Sequence, residues 1–420
     1  MKKAIPLAAA LLVLGAGLRL GAQSYRSFQD EYDAIRDGVR LRLGPLRLVP
    51  RFRLADAGYD SNVYFREQAG EVVRDATATL APELHGYWLL GHAAILSFTE
   101  SPEYLFYARE KGLRTFTNSF SGSLRLRLLR RFSLSGAYHS EGHARRVLSD
   151  LDHRIRDSSK GGAAALFFET ARGTAFGVTA SLEDFRYRDL GSETMDDVYG
   201  RALDRRETSL GLETSYRVFS RSSLFVLAGW RRYEFVHPES AWRDAEAVEA
   251  SGGFRFPLVG RARGAIRFGW KSFRPDAADR KPFSGLIAAT EVAFRLGRVG
   301  LTLGLHRDHN FSYIENAYYY IDTRGRASLS LYVVPFLRLD AGVQLGGLDY
   351  PEPQTVWTGG DPVLVEHRRD DERIFTAGPV LRLGGTVGLG VTYNLYRRSS
   401  NAPGFAIRRN FIGAFLTYEF

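Results

Sequence analysis

Between Thr115 and Leu128 the chain alternates. Thr115, Thr117, Ser119, Ser121, Ser123, Arg125 and Arg127 make every odd position polar, while Phe116, Phe120, Leu124, Leu126 and Leu128 make the even positions mostly apolar. Successive side chains of a strand point to opposite faces, so the segment predicts one long strand with a wet face and an apolar one. Its length is more than twice the usual 5–6 or so residues of a globular strand and suits a tilted strand crossing a bilayer. The same grammar returns along the chain. Leu210, Leu212, Tyr216 and Val218 alternate with Ser209, Gly211, Glu213, Ser215 and Arg217. Ala262, Ile266, Phe268 and Trp270 alternate with Arg261, Arg263, Arg267 and Lys271. At the end, Ile412, Ala414, Leu416, Tyr418 and Phe420 alternate with Phe411, Gly413, Phe415, Thr417 and Glu419. A globular core does not accept so many arginines on one face. Polar-in, apolar-out alternation is the pattern of an outer-membrane barrel.

Turn signals give the topology. Short connections fall near Leu90 to His92, Leu129 to Phe132, Ala171 to Thr174, Phe219 to Ser222, Leu258 to Arg261, Leu296 to Val299, Val333 to Phe336 and Leu383 to Thr386. Longer polar stretches lie between them, near 60–75, 108–112, 147–158, 189–200, 237–245, 275–282, 308–317, 349–370 and 397–405. Eight short turns strictly alternating with nine long loops predict an all-β, transmembrane, antiparallel up-and-down barrel of eighteen strands, with sixteen the next reading. An even count puts both termini on the short-turn side, taken as periplasmic, with the long loops outside. Tyr104, Phe106, Tyr107, Phe185, Tyr187, Tyr233, Phe235, Phe273, Tyr318 to Tyr320, Tyr393 and Tyr396 sit toward the long-loop ends and are expected to form a girdle at headgroup level.

Composition closes other routes. No linker tract divides the 420 residues, and the absence of cysteine excludes a disulfide scaffold, a thiolate metal site and a cysteine nucleophile. Lys2 and Lys3 followed by an apolar Ala8 to Leu14 read as a signal peptide over residues 1–22, with Leu20-Gly21-Ala22 as the cleavage site. No later run is long and apolar enough for a helical span. Residues 23–37 read as a periplasmic lead, a short amphipathic helix or a flexible segment, and 38–420 as the barrel. The formal charge of +10 does not imply nucleic acid, because the arginines alternate with apolar positions instead of forming a solvent patch.

The candidate chemistry lies in the inward phase. Arg125, Arg127, Arg217, Arg255, Arg263, Arg267 and Arg295 concentrate toward the short turns, and Glu213, Glu249 and Glu291 precede Arg217, Arg255 and Arg295 toward the barrel middle. Two compatible readings follow. The arginines line a charged eyelet that draws anions, since low-dielectric walls focus the field, or they pair with the glutamates to brace the wall. His139, Glu141 and His143 share a face by their spacing, and His306, Asp308 and His309 form a looser cluster. Both flank loops and read as ordinary polar positions, so neither a metal nor a cofactor is expected. No Gly-x-Ser-x-Gly or His-Glu-x-x-His occurs, and no catalytic residue is assigned. The run Gly384 to Gly390 reads as a tight hairpin.

Gly38-Val39-Arg40-Leu41-Arg42-Leu43-Gly44-Pro45 leads into a strand ending Gly58-Tyr59-Asp60-Ser61-Asn62-Val63-Tyr64, followed by Leu80-Ala81-Pro82 and Tyr104-Leu105-Phe106-Tyr107. Over roughly residues 38–140 this resembles the Putative beta-barrel porin 2 group, whose members open with a Gly/Arg/Pro strand, a Tyr-Asp-x-Asn-Val segment and a Leu-x-Pro strand. Tyr418 and the final Phe420 resemble the C-terminal signal read by the bacterial barrel-assembly machinery. The resemblance implies an outer-membrane barrel associated with exopolysaccharide production and export, with outer-membrane lipid and the assembly machinery as partners. The function expected is a pore that passes anionic solutes or polysaccharide passively. A non-transporting adhesin or structural anchor acting through the long loops is the alternative, and a barrel enzyme comes third.

Overall fold

The structure, a computed structural model, describes residues 28–66, 72–129, 131–145, 155–189, 201–219, 222–256, 261–314, 317–358 and 361–419. The signal peptide read at 1–22, most of the 147–158 and 189–200 loops, part of the turn near Leu258 to Arg261, and Phe420 lie outside them. In chain order the elements begin with α1 (Phe28–Gly38), β1 (Leu41–Leu43), β2 (Leu46–Asp60), β3 (Asp75–Leu90), β4 (Ala94–Tyr107), β5 (Thr115–Leu128), β6 (Phe132–Arg145) and β7 (Ile155–Glu169). They continue with β8 (Thr174–Asp189), β9 (Arg205–Phe219), β10 (Ser222–Phe235), β11 (Ala245–Arg255), β12 (Ala262–Pro275), β13 (Phe283–Leu296) and β14 (Val299–Phe311). The last are β15 (Tyr319–Val334), β16 (Leu337–Tyr350), β17 (Gln354–Thr358), β18 (Asp361–Val365), β19 (Arg368–Leu383), β20 (Val387–Ser400) and β21 (Ile407–Glu419).

Eighteen of these strands, β2 to β16 and β19 to β21, pair antiparallel with their chain neighbours and close into one barrel. The eighteen-strand reading holds, and short and long connections alternate as the turn signals require. At the β19–β20 turn, Gly384 and Gly385 adopt φ of 61° and 79°, which a residue with a β-carbon adopts only at a cost. The sequence pattern leaves β17 and β18 inside a loop. They form a separate two-stranded hairpin between β16 and β19, too short to enter the wall.

Closure joins β2 to β21, from Arg51 opposite Glu419 to Asp60 opposite Phe411. Two ion pairs pin this seam. Arg51 Nε donates to Glu419 Oε2 at 3.1 Å, and Arg409 grips the buried Asp60 with Nη2–Oδ2 at 2.6 Å and Nε–Oδ1 at 2.8 Å. Beyond Arg51 the last strand has ended, and β1 takes over the free edge of β2, pairing Leu41 with Leu48 and Leu43 with Leu46. Asp56 (φ 51°) marks a bulge in β2 that resets the phase between Leu54 and Ala57.

The two faces of the wall differ as the alternation demands. Leu210, Leu212, Val226, Phe268 and Leu286, all in the outward phase, are each more than half exposed. Inward neighbours such as Glu213, Ser215 and Lys271 are buried. One outward pair departs from the apolar belt. Glu100, flanked on β4 by Phe98 and Pro102, accepts a 2.6 Å hydrogen bond from Asn118 Nδ2, flanked on β5 by Phe116 and Phe120.

The expected girdle is realised only in part. Tyr104, Phe106 and Tyr393 face outward and are exposed, but Tyr107, Phe185, Tyr187, Tyr233, Phe235, Phe273, Tyr318 to Tyr320 and Tyr396 are buried. Most of these fill the inside of the barrel at its long-loop end. Phe273 is fully buried, with the rings of His309, Tyr318, Phe311, Tyr319 and Tyr233 4.2–5.8 Å away. Height along the strand put these rings near the headgroups; phase turned them inward instead. Phe273 shares the face of Lys271, and Tyr233 that of Arg231.

Candidate functional site: the inner wall

Residues of like phase on neighbouring strands lie about 4.5–5.5 Å apart, whereas positions i and i+4 of one strand are separated by about 13 Å. That spacing decides how the inward charges pair. The same-strand partners expected for the glutamates are not the ones found. Glu213 accepts from Arg255 Nη2 at 3.2 Å, Arg217 bonds Glu169 at 3.2 Å, and Glu291 pairs with Arg326. Glu249 lies opposite Lys271 in the register, but Lys271 turns to Asp308 at 3.0 Å, and Glu249 makes no ion pair among the described residues.

The Glu291–Arg326 pair spans three strands because of a glycine. Glu291 on β13 stands opposite Gly304 on β14, which stands opposite Arg326 on β15. A β-carbon at 304 would meet Arg326 Nε at 2.5 Å and its Cγ at 2.6 Å. Only glycine lets the guanidinium lie across the intervening strand.

Arg125 and Arg127 do not point into open lumen. Arg125 pairs with Glu31 of α1 and lies over the Phe28 ring, and Arg127 Nη1 donates to Gln29 Oε1 at 3.3 Å. Arg295 lies 5.1 Å from the Tyr332 ring and has no carboxylate partner, and Arg263 and Arg267 have no hydrogen bond or ion pair among the described residues. So of the seven arginines singled out by pattern, Arg125, Arg217 and Arg255 are ion-paired, Arg127 is held by a neutral amide, and the three on β12 and β13 make no ion pair among the described residues. The inner faces of β4 to β6 carry hydroxyls instead. Ser97 and Ser123 share a 2.6 Å hydrogen bond, and His85 Nδ1 lies 2.9 Å from Thr99 Oγ1. Ring order places β4 to β6 half-way round from β13 to β15, so a hydroxyl wall faces a charged one. Pattern reading passed over Arg324 and Arg326, although Asp322, Arg324, Arg326, Ser328 and Ser330 alternate as plainly as any segment.

A family model described as Putative beta-barrel porin 2 matches residues 37–420. The chain belongs to that family. The match extends the likeness read at 38–140 to the whole barrel, and membership makes this an outer-membrane barrel of porin type. Solved structures similar to it include OccK2 (OpdF) of Pseudomonas aeruginosa in complex with glucuronate, 15% identical, TM-score 0.48, covering 91% of this chain and 99% of that one. A BenF-like porin from Pseudomonas fluorescens Pf-5 is 13% identical at a TM-score of 0.48, covering 90% and 99%. The siderophore receptor PirA from Pseudomonas aeruginosa is 11% identical at 0.46, covering 91% and 81%. No curated protein matches the chain.

Among the described residues the histidine clusters of this porin-family barrel do not gather into a metal-binding group. His139 Nε2 lies 3.3 Å from Glu183 across two strands, while the His143 side chain lies outside the described residues. Asp308 is shared by Lys271 and by His309 Nδ1 (3.1 Å), the His309 ring enters the aromatic cluster, and His306 faces the lumen. At the long-loop end the loops are tied to one another. Glu352 accepts backbone N–H groups of Lys281 and Tyr318, each at 3.1 Å. Burial, with Glu110 accepting its hydroxyl at 2.6 Å, pushes the Tyr64 phenol up to about 12.

Tyr418, half of the expected assembly signal, lies on β21 in the outward phase, opposite Phe52 and Val387.

Proposed function

We propose that the barrel is a passive pore whose inner wall favours anionic, hydroxyl-bearing solutes, exported acidic polysaccharide among them. The observation that carries this reading is the cluster of Arg263, Arg267 and Arg295 on adjoining strands, which make no ion pair among the described residues, whereas Arg125, Arg217 and Arg255 are each paired with a carboxylate. Fixed cations on a low-dielectric wall raise the local concentration of anions. The hydroxyl wall on β4 to β6 offers hydrogen-bond partners to a polyhydroxylated chain, which favours sugars over small inorganic ions. In this reading the short turns and both ends of the barrel chain are periplasmic, the long loops face outward, and Tyr418 with Phe420 serves the assembly machinery.

The test is a planar bilayer under a salt gradient. The wild-type barrel is expected to conduct in discrete steps with a modest anion preference that weakens as salt shortens the Debye length to about 3 Å at 1 M. Changing Arg263 and Arg267 to Glu shifts the reversal potential toward cations without loss of folding. If the wild type never conducts, the loops and not the lumen carry the function, as the adhesin alternative requires. If it conducts with selectivity indifferent to both reversals, these arginines do not line the ion path.

A further inference from the structure

At the short-turn end of β2 to β4 the inward phase changes character. Val49, Tyr87, Leu89 and Ile95 occupy positions that elsewhere on these strands hold Arg51, Glu83, His85 and Thr99. Facing a watery lumen, these side chains would leave an apolar patch wet. They are instead covered by α1, whose Phe28, Tyr32 and Ile35, with Val39 just beyond, form one buried cluster with Tyr87, Leu89 and Ile95, Val49 packing against it. The helix is therefore inside the barrel mouth. The Arg125–Glu31 pair and the Tyr32 ring, 4.9 Å from that of His92, hold it there.

The side of α1 turned from the wall carries Asp33 and Asp37, more than two-fifths exposed, bridged by Arg36 at 3.2 and 2.8 Å. Its seat on β3 to β5 lies half-way round the eighteen-strand ring from β12 to β14. Arg263 and Arg295 lie at the same, short-turn end of β12 and β13, and Arg267 lies four residues, about 13 Å, deeper. A helix with its side chains is about 10–12 Å across, a large share of any lumen it enters.

We propose that α1 is the element that sets the size and charge preference of the pore. It is a fixed inner liner whose acidic face, opposite Arg263, Arg267 and Arg295, makes the mouth a passage between an acidic and a basic wall. This rests on the pore reading above. A solute crossing there meets both signs at once, so the anion preference of the arginines is moderated by the helix, and the free width is what α1 leaves.

The absence of cysteine makes the experiment clean. Three proteins are compared in planar bilayers with the wild type: Ile35→Cys/Leu89→Cys, oxidised and reduced; deletion of residues 28–38; and Asp33→Asn/Asp37→Asn. The liner predicts that the oxidised cross-link conducts like the wild type. It predicts that the deletion gives larger single-channel steps and admits larger neutral polyethylene glycols. The double Asn variant should keep the step size and shift the reversal potential toward anions. Should the deletion fold poorly, Glu31→Arg with Tyr32→Ala, which undocks the helix in place, gives the same readout. Steps and size limit unchanged by deletion or undocking overturn the inference while leaving the pore intact, as does an oxidised form that conducts less than the reduced one, since the helix would then have to leave for passage. Silence from every variant and the wild type overturns the pore and the liner together.

Discussion

Single residues decide which charges in this wall are free. Arg326 reaches Glu291 only across Gly304, so the pair depends on a missing side chain on the one strand that separates its two partners. Because Arg326 is about half exposed, the pair contributes little to stability, and its effect is on the field in the lumen. Glu291→Gln should leave folding unchanged and move the reversal potential toward anions; Arg326→Gln should move it the other way. Opposite shifts in a salt-gradient measurement verify the pair's place beside the ion path. Outside the barrel, Glu100 and Asn118 pose the reverse problem, a polar pair in an apolar belt. Removing one partner leaves the other without its bond, whereas replacing both with apolar groups is close to neutral or stabilising. Asn118→Leu alone should therefore lower the urea midpoint of the barrel in lipid vesicles, and Glu100→Leu/Asn118→Leu should restore or exceed it.

Strands were legible almost to the residue, because a membrane wall enforces period two over its whole height and punishes any slip of phase. Phe268 and Ser121 show how strict this is: Phe268→Arg places a cation against lipid at a cost of roughly 2–4 kcal/mol, while Ser121→Arg places one in the inward phase. The heat-modifiable band on a gel should fall sharply for the first and persist for the second. What the pattern did not disclose was anything that breaks the simple in-and-out rule. The rings of Phe185, Tyr233 and Phe273 were legible as aromatic and near the strand ends, but their phase, shared with Arg231 and Lys271, points inward. Pairing partners were missed because sequence neighbours on a strand are distant in space and strand neighbours are distant in sequence; Glu213 finds Arg255 two strands away. The helix was legible as amphipathic but not its seat. The clue was there in Tyr87, Leu89 and Ile95, apolar where the phase calls for polar.

As a whole, the molecule is a ring held shut at one place by contacts of a different kind from the rest. Every other pair in the wall joins successive wall strands, β16 and β19 with only the β17–β18 hairpin between them. The seam joins residues 368 positions apart at Arg51–Glu419 and 349 apart at Asp60–Arg409. Asp60 is buried, so removing it leaves the Arg409 guanidinium without its carboxylate; Asp60→Ala should cost on the order of 3–5 kcal/mol in urea unfolding. Contacts of that separation carry the largest loop-closure cost and are favoured only once the intervening chain is already ordered. The hairpins can zip from their short turns in any order, but the ring can close only after them. The seam is then the last part of the barrel to be born and the natural gap through which it comes apart. Until β21 arrives, the long edge of β2 is bare, with β1 covering only its first three residues, and an unpaired edge of that length is a template for the wrong neighbour. The time spent waiting for the last strand is the interval in which this chain is most exposed to aggregation.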